Sequence, residues 1–302
     1  MSLLVVGSVA FDSVKTPFGQ VENVLGGSAT YFSTSASFFT NVSLVAIVGE
    51  DFPEEHIEFL KSRKIDLAGL EKVKGKTFRW KGEYTYQLNE AHTLETQLNV
   101  FQNFKPKIPK KYQDHKIVFL ANIDPDLQRK VLAQVKKPKL IACDTMNFWI
   151  AGKKSSLIET LKLVDILIIN DGEARELSNE TNLVKAAAFI RALGPKTLII
   201  KRGEYGVLLF GEDGIFSAPA YPLESVFDPT GAGDTFAGGF MGYLAKAMRF
   251  DAVHIRKAII MGSVMASFNV EDFSLNRMKK LQVKEIEKRY SEFRKLTHFE
   301  DL

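Results

Sequence analysis

The chain has 302 residues, 45% of them hydrophobic and 25% charged, with a formal net charge of +4. This composition excludes a disordered or fibrous protein, and it predicts one large core in a single α/β domain or in a domain with a small lid. The lysines cluster in two proline-containing groups, at 105–111 and 136–139, without interleaved aromatic residues. We therefore interpret them as solvated loops and expect no nucleic-acid partner.

Cysteine and histidine usage limits the kinds of site that the chain can form. Cys143 is the only cysteine, which excludes a disulfide within the chain and argues against a thiolate metal site. The five histidines show no ligand spacing, so no zinc site is expected. The apolar run 3–6 lacks a basic leader and ends at Gly7, and no apolar run approaches membrane-spanning length. We expect a cytoplasmic protein that does not contact membranes.

Apolar runs rich in β-branched residues alternate with helical patterns along most of the chain. In chain order, the predicted strands are 3–9, 44–48, 116–121, 139–143, 166–170, 197–201 and 207–210. Their hydrophobicity is continuous rather than alternating, which is typical of a sheet covered on both faces. The pattern predicts one α/β domain over residues 1–302, with a doubly wound, mostly parallel sheet flanked by helices.

Two stretches interrupt this rhythm, at 14–24 and 72–101. Both have short alternating runs and turn residues without a helical pattern, so we predict a small antiparallel sheet that forms a lid. The second stretch carries four aromatic residues, Phe78, Trp80, Tyr84 and Tyr86. Such a surface would be prone to aggregation if left exposed, which suggests a homodimer contact through the lid.

The most informative segment is 228–236, which reads Asp-Pro-Thr-Gly-Ala-Gly-Asp-Thr-Phe. Gly231, Ala232 and Gly233 leave almost no side chain between their amides and an incoming group. At a helix N-terminus, unpaired amides and the positive end of the helix dipole stabilise a phosphate. Asp234 can accept a proton from an alcohol beside that phosphate. The segment therefore indicates phosphoryl transfer, although an aspartate there could also simply cap the helix.

Two other glycine-rich motifs do not fit. A dinucleotide fingerprint would need glycine at position 236, where the chain has Phe236, and it would follow an early strand. The triplet Gly75-Lys76-Thr77 resembles the end of a Walker A loop, but the required upstream glycine is replaced by Leu70.

A second glycine motif, Leu25-Gly26-Gly27-Ser28-Ala29-Thr30, lies far upstream of the first. Two such signatures in this order, with a lid-like insertion between them, resemble the ribokinase-like sugar and nucleoside kinases, also called the phosphofructokinase B family. The resemblance covers nearly the whole chain. It implies the ribokinase-like fold, ATP as phosphoryl donor and Mg²⁺ as its companion.

The resemblance also implies roles at the acceptor end. Asp234 would be the general base, and the amides of Gly231 to Gly233 would bind the transferring phosphoryl group. Asp12 would hydrogen-bond substrate hydroxyls, and Gly26 and Gly27 would let the backbone approach the substrate closely.

Many sugar-specific relatives have Asn a few residues after the glycine pair, whereas this chain has Tyr31. A phenol reaches farther and can stack, so Tyr31 is a further expected substrate contact. From the sequence alone, Asn147 follows a strand on the ligand side and is also expected to line the substrate pocket.

At the nucleotide end, Asn170 and Glu173 resemble the Asn-x-x-Glu motif of the family. An amide and a carboxylate three residues apart suit hydrated Mg²⁺, although the same pair could simply begin a helix. The stretch from Lys201 to Gly206, including Gly203, resembles the glycine turn that lines the ATP site of relatives. Asp228 and its neighbours coordinate a monovalent cation such as K⁺ in some relatives.

Three functions remain open from the sequence. The first is an ATP-dependent kinase that phosphorylates a primary hydroxyl of a sugar or a similar molecule. The second keeps this chemistry but takes a nucleoside, whose base would stack on Tyr31 or on an aromatic residue of the lid. The third is a catalytically silent sensor of sugars or nucleotides, which the presence of both a base and an anion hole disfavours.

Overall fold

The computed structural model of the protein describes residues 2–298, and this part of the chain contains two β-sheets. The strands, numbered along the chain, are β1 Ser2–Val6, β2 Ala10–Thr16, β3 Gly19–Gly26, β4 Asn41–Gly49, β5 Ile65–Val73, β6 Phe78–Glu83, β7 His92–Gln97, β8 Ile117–Leu120, β9 Leu140–Asp144, β10 Ile166–Asn170, β11 Thr197–Lys201, β12 Val207–Gly211 and β13 Gly214–Ala218.

Helices connect most of these strands. They are α1 Ser28–Ala36, α2 Glu54–Ser62, α3 Pro125–Leu132, α4 Asn147–Gly152, α5 Lys154–Leu161, α6 Asp171–Ser178, α7 Leu183–Ala192, α8 Ala232–Ala247, α9 Ala252–Asn269, α10 Asn276–Lys280 and α11 Val283–Thr297. No helix within residues 2–298 combines the length and the apolar character that crossing a membrane requires.

The larger sheet has the strand order β13-β12-β11-β10-β9-β8-β1-β4-β5. Its pairings from β11 through β5 are parallel, and β12 and β13 add an antiparallel edge. This arrangement confirms the predicted mostly parallel sheet flanked by helices. Two of its strands, β5 and β13, were not predicted.

Helices cover both faces of this sheet because its central strands are apolar on both sides. Leu3 and Val5 belong to one buried cluster, while Leu4 and Val6 belong to the other, as expected when successive side chains point to opposite faces. The first cluster includes α1, α8 and α9, and the ring of Phe32 in α1 stacks on Phe119 with centroids 4.2 Å apart. The second cluster includes α3, α5 and α7.

The small sheet has the order β3-β2-β6-β7 and confirms the predicted lid sheet. Its two hairpins, β2 with β3 and β6 with β7, are antiparallel, whereas the central pair of β2 with β6 is parallel. The lid begins earlier than the predicted stretch 14–24, so that Asp12 lies within it. Residues 72–73 belong instead to β5 of the large sheet.

Candidate active site

Helix α8 carries the segment that suggested phosphoryl transfer. Its small residues allow close contact with α1, because a Cβ on Gly238 would lie 2.3 Å from the carbonyl oxygen of Phe32. The helix begins after Gly231, whose φ of 73° lies in the left-handed region that favours glycine. The sequence therefore sets both where α8 starts and how deeply it packs.

The amides at the start of α8 are only partly used. Ala232 N–H donates to the carbonyl of Pro229 at 3.1 Å, and Thr235 N–H donates to that of Gly231 at 2.8 Å. The amides of Gly231 and Gly233 donate to no other residue within the described part of the chain. Two of the three expected donors are therefore available to an anion at the positive end of the helix dipole.

Two buried side chains fix the loop that precedes α8. Asn269 donates from Nδ2 to the carbonyl of Thr230 at 2.8 Å and accepts at Oδ1 from the Thr235 hydroxyl at 3.1 Å. The carboxylate of Asp228 accepts from the amides of Thr230 at 2.9 Å and Ser274 at 3.1 Å. Sequence reasoning missed Asn269, the last residue of α9, because no local signal marks it.

Asp234 lies in the first turn of α8 and is half-buried. Burial raises the pKa of Asp234 to about 6, and the Lys201 ammonium and a backbone amide oppose that rise. Near neutral pH this carboxylate is ionised and still basic enough to take a proton.

Asp12 occupies the acceptor end, in lid strand β2. Its carboxylate is 4% exposed, and Oδ2 accepts from Gly27 N–H at 3.4 Å. A Cβ at Gly26 would lie 1.9 Å from that same oxygen. Burial raises the pKa of Asp12 to about 7, and the negative charges of Asp228 and Asp234 add to the rise. The fold thus brings Asp12 and Asp234 close enough for the charge of Asp234 to affect the pKa of Asp12.

Tyr31 is buried between the two ends. Its ring lies against Gly231, where a Cβ would approach the ring atoms to 2.4 Å. Its hydroxyl has no partner in full hydrogen-bond geometry, yet it is close enough to Asp12 to lower the pKa of that carboxyl. Tyr31 is 1% exposed.

The lid reaches over the loop that begins α8. Thr230 Oγ1 donates to the hydroxyl of Tyr84, which follows β6, at 3.3 Å. Trp80 pairs with Asp12 across the parallel strands, so both side chains face the inner side of the lid. Its indole Nε1 donates to Thr93 Oγ1 at 3.2 Å.

At the nucleotide end, Asn170 and Lys201 are paired at the carboxyl ends of adjacent parallel strands. Asn170 and Glu173 form a capping box at the start of α6, with 2.7 Å bonds from Asn170 N–H to Glu173 Oε2 and from Glu173 N–H to Asn170 Oδ1. Burial raises the pKa of Glu173, and the Lys201 ammonium opposes that rise. Glu173 therefore caps the helix and also lies near the Lys201 ammonium.

The glycine turn after β11 also contacts the lid. Gly203 and Gly206 have φ values of 54° and 83°, and Arg202 N–H closes the turn on the carbonyl of Gly206 at 2.8 Å. Asn89, from the loop between β6 and β7, lies so close that a Cβ at Gly203 would be 1.7 Å from its Oδ1. No local sequence pattern predicted this contact.

The predicted substrate residue Asn147 begins α4 and is exposed, and its Oδ1 accepts from the amide of Phe148 at 2.9 Å. Asp144, at the end of β9, is 5% exposed, and its Oδ1 is buried without a hydrogen-bond partner. Burial raises the pKa of Asp144 well above its usual range, and the charge of Asp234 adds to this. Sequence reasoning noted this strand end but selected Asn147 from it.

The donor set fits a hydrated magnesium ion. The buried, unpartnered oxygen of Asp144 and the carboxylate of Glu173 lie near Lys201 and offer oxygen, which Mg²⁺ prefers. Within residues 2–298, no group of three or more His, Cys, Asp or Glu side chains could enclose a metal ion by itself. Asp228 already accepts two backbone hydrogen bonds, which account for its burial without a cation.

Comparisons with known proteins agree with this arrangement. The family model described as pfkB family carbohydrate kinase matches residues 2–280. A cytidine kinase of Thermococcus kodakarensis is 33% identical over 252 residues, which are 80% of this chain and 88% of that protein. A nucleoside kinase of Methanothermobacter thermautotrophicus is 26% identical over 292 residues, which are 89% of each chain.

The crystal structure of the Methanocaldococcus jannaschii nucleoside kinase is similar in fold, with a TM-score of 0.77 at 20% identity, and covers 96% of this chain and 98% of that one. The two glycine signatures, the lid sheet and the family match are therefore consistent, and the resemblance inferred from the sequence is confirmed. The chain belongs to the pfkB family of carbohydrate kinases and is a phosphotransferase that acts on a hydroxyl group.

Proposed function

We propose that the protein transfers the terminal phosphoryl group of ATP to a primary hydroxyl of a nucleoside or sugar, with Asp234 as general base. The observation that carries this proposal is the surroundings of Asp234. Its half-buried carboxylate, with a pKa of about 6, lies in the first turn of a helix, next to the free amide of Gly233 and near Asp12. A hydroxyl bound by Asp12 would therefore meet a base and an anion site together.

Residues at one end of the site bind the acceptor, and residues at the other end take its proton and bind the phosphoryl group. Asp12 accepts a hydrogen bond from a second hydroxyl of the acceptor and orients it, as a buried acceptor can. Asp234 takes the proton from the attacking oxygen, while the amides of Gly231 and Gly233 bind oxygens of the phosphoryl group. Tyr84 closes over Thr230 and helps to exclude water from the transfer.

Glu173 and Asp144 would hold Mg²⁺ through water. When bound, Mg²⁺ would neutralise phosphate charge. Gly203, Gly206 and Asn170 would line the phosphate chain of ATP. The carboxylate of Asp228 does not require a K⁺ ion, because two backbone amides already donate to it.

A nucleoside is the acceptor we favour over a free sugar. A cytidine kinase and a nucleoside kinase align over 80% and 89% of the chain, whereas a Staphylococcus aureus ribokinase aligns over 37% of it. Trp80 shares the inner face of the lid with Asp12 and offers a ring on which a base could stack. The buried Tyr31 fills space between Asp12 and Gly231 instead of presenting an open face.

The test is a panel of acceptors. Purified protein would be incubated with Mg²⁺, ATP and, in turn, cytidine, inosine, adenosine, ribose and fructose, and the products identified by chromatography and ³¹P NMR. We expect a nucleoside 5′-monophosphate as the best product. A sugar phosphate formed at higher kcat/KM would support the sugar alternative.

Asp234→Asn tests the base. We expect kcat to fall by about 100-fold or more with ADP affinity unchanged. Asp213→Asn serves as control, because Asp213 is exposed between β12 and β13. If Asp234→Asn kept kcat within about threefold of the parent, another group would have to be the base. Ligand binding without any ADP release would instead favour the sensor.

A homodimer through the lid remains a proposal. Of the four lid aromatics, Phe78 stacks on Phe101 at 5.3 Å and Tyr84 contacts Thr230, but Tyr86 is 86% exposed. Strand β7 forms an open edge with Leu94 53% exposed, and such edges are commonly covered by another chain. Sedimentation velocity that showed a monomer at micromolar concentration would contradict the dimer.

A further inference from the structure

Lys201 occupies an unusual place at the end of β11. Its Nζ lies 2.6 Å from the position that a Cβ on Gly233 would take, so the ammonium lies over the start of α8. A side chain at position 233 would push the ammonium away from this place. The family resemblance suggested no more than a nucleotide-lining residue here, but this geometry places a cation beside Gly233, whose amide we assign to the transferring phosphoryl group.

Three carboxyl groups lie near this ammonium, one of them buried and the other two half-buried. The positive charge of Lys201 acts to lower the pKa of each of them: Asp234, Asp144 and Glu173. Yet Lys201 forms no ion pair within 4.0 Å and donates no side-chain hydrogen bond to any residue within 2–298. The carboxylates attract the ammonium from beyond ion-pair distance, and its three N–H donors remain available to a ligand.

The unpartnered oxygen of Asp144 supports the same conclusion. A buried carboxylate that only served to neutralise Lys201 would be expected to pair with it directly, because an unmade hydrogen bond in the interior is costly. Instead Asp144 Oδ1 is buried and free, and the ammonium lies beside Gly233. An anion with its accompanying cation, bound between these groups, would provide partners for both the ammonium and the free oxygen of Asp144.

We propose that Lys201 is a catalytic residue that binds a non-bridging oxygen of the phosphoryl group while that group is transferred. This inference rests on the proposed phosphoryl transfer at Asp234. In a loose transition state, negative charge spreads over the three equatorial oxygens of the phosphoryl group. A cation beside both Gly233 and Asp234 lies where that charge develops, between the donor and the attacking hydroxyl.

The bonds and charges balance without further reactants. The acceptor oxygen forms a bond to the terminal phosphorus as the bond from phosphorus to the bridging oxygen of ADP breaks. The electron pair of the broken bond stays on ADP, and the acceptor proton goes to Asp234. Lys201 takes no part in the proton transfer and contributes only its charge and its hydrogen bond.

The test compares binding of ADP alone with binding of ADP plus aluminium fluoride, which mimics the phosphoryl group in transfer. Parent protein, Lys201→Met and Lys201→Gln would be titrated by calorimetry in Mg²⁺ with acceptor present. For both variants we expect ADP affinity within about threefold of the parent, and the extra affinity gained with fluoride reduced by about 100-fold. Turnover should fall by a similar factor, as expected for a lost transition-state donor.

Lys196→Met is the matched control, because Lys196 is exposed just before the opposite end of β11. It should leave both affinities and turnover unchanged. Lys201→Arg, which keeps the charge, should recover part of the turnover. The acid limb of the pH profile should also move to higher pH in Lys201→Met, since the pKa of Asp234 loses the lowering influence of the ammonium.

Two results would overturn the inference. Equal loss of affinity for ADP with and without fluoride would make Lys201 a ground-state nucleotide ligand, and unchanged turnover in both neutral variants would make it structural. Thermal melting identifies a variant that fails to fold, and the other neutral variant then decides. If the parent transfers phosphate to no acceptor, it is the proposed function that fails, and this outcome is distinct from both of the others.

Discussion

The ring of Tyr31 lies directly against the backbone of Gly231, so closely that a Cβ at position 231 would be 2.4 Å from the ring. One side chain thereby connects the helix that follows Gly27 with the start of the helix that carries Asp234. The position of the anion site relative to Asp12 is set by this contact as much as by the loop itself. A glycine at 231 is needed for two reasons, the left-handed φ and the close approach of the ring.

Gly231→Ala should therefore damage the site more than the fold. We expect a loss of stability on the order of 2 kcal/mol from the left-handed φ and the steric overlap, and a fall in kcat of at least about 100-fold. Steady-state kinetics and chemical denaturation would measure the two effects. Gly152→Ala is the control, because a Cβ there meets no atom within 4 Å. Equal turnover in both variants would contradict the role of the Gly231 backbone.

Activity should depend on the ionisation of Asp234. A general base works only as the carboxylate, and the pKa of this group is about 6. We expect kcat to be level above pH 7 and to fall about tenfold per pH unit below pH 6. The measurement is kcat at saturating substrates from pH 5 to 8.5. A profile that stays flat down to pH 5 would show that the transfer does not depend on this group.

Stability of the ligand-free protein should depend on the ionisation of Asp12. Its pKa rises from 3.8 in the unfolded chain to about 7 in the folded one, so folding is most favoured while the group stays protonated. The contribution is full below pH 3.8 and is lost as the pH rises through about 7. Asp12→Asn should therefore stabilise the protein at pH 8, by on the order of 3 kcal/mol, and much less at pH 5.

Urea denaturation of the parent and Asp12→Asn at both pH values would measure this effect. Asp213→Asn controls for a general change of charge, because Asp213 lies exposed in a turn. A difference between parent and Asp12→Asn that does not change with pH would contradict a buried, protonated Asp12. The same variant should lose acceptor affinity, because an amide accepts a weaker hydrogen bond than a carboxylate.

The sequence was sufficient for the layers of the fold because the central strands are apolar on both faces. It was insufficient to predict the strands at the two edges of the large sheet. Strand β5, Ile-Asp-Leu-Ala-Gly-Leu-Glu-Lys-Val, lies at one edge of the sheet, and β13 lies at the other with Ile215 58% exposed. Edge strands mix polar and apolar residues because solvent reaches one side, so neither hydrophobic pattern is clear.

The candidate site was predictable where glycines and a carboxylate form a local motif. Asp234 could be selected in this way and Asp12 through the family resemblance, but their mutual influence depends on how the lid lies over α8. Asn269, Asn89 and the free oxygen of Asp144 were not predictable. Each is a single polar residue whose role comes from a partner distant in sequence, and no local spacing indicates such a partner.

Asn269 should couple stability to catalysis. Its removal leaves the carbonyl of Thr230 and the hydroxyl of Thr235 without partners in the interior. For Asn269→Ala we expect a loss of about 3 kcal/mol of unfolding free energy and a fall in kcat of about tenfold or more. Asn182→Ala removes the cap of α7, away from the site, and should cost about 1 kcal/mol without changing kcat. Equal kcat in both variants would show that the loop does not depend on Asn269.

The contact between Asn89 and the glycine turn should couple lid closure to the nucleotide site. Asn89 Nδ2 donates to Glu204 Oε1 at 3.4 Å and its Oδ1 accepts from Glu204 N–H at 3.3 Å. These bonds are exposed, so their loss should weaken the closed lid by about 1 kcal/mol and raise the acceptor KM about fivefold, with kcat little changed. Gln87→Ala, in the same exposed loop, should change neither. In a double-mutant cycle, Asn89→Ala and Glu204→Ala should be non-additive, because both remove the side-chain bond. Strict additivity would show that the lid closes independently of the turn.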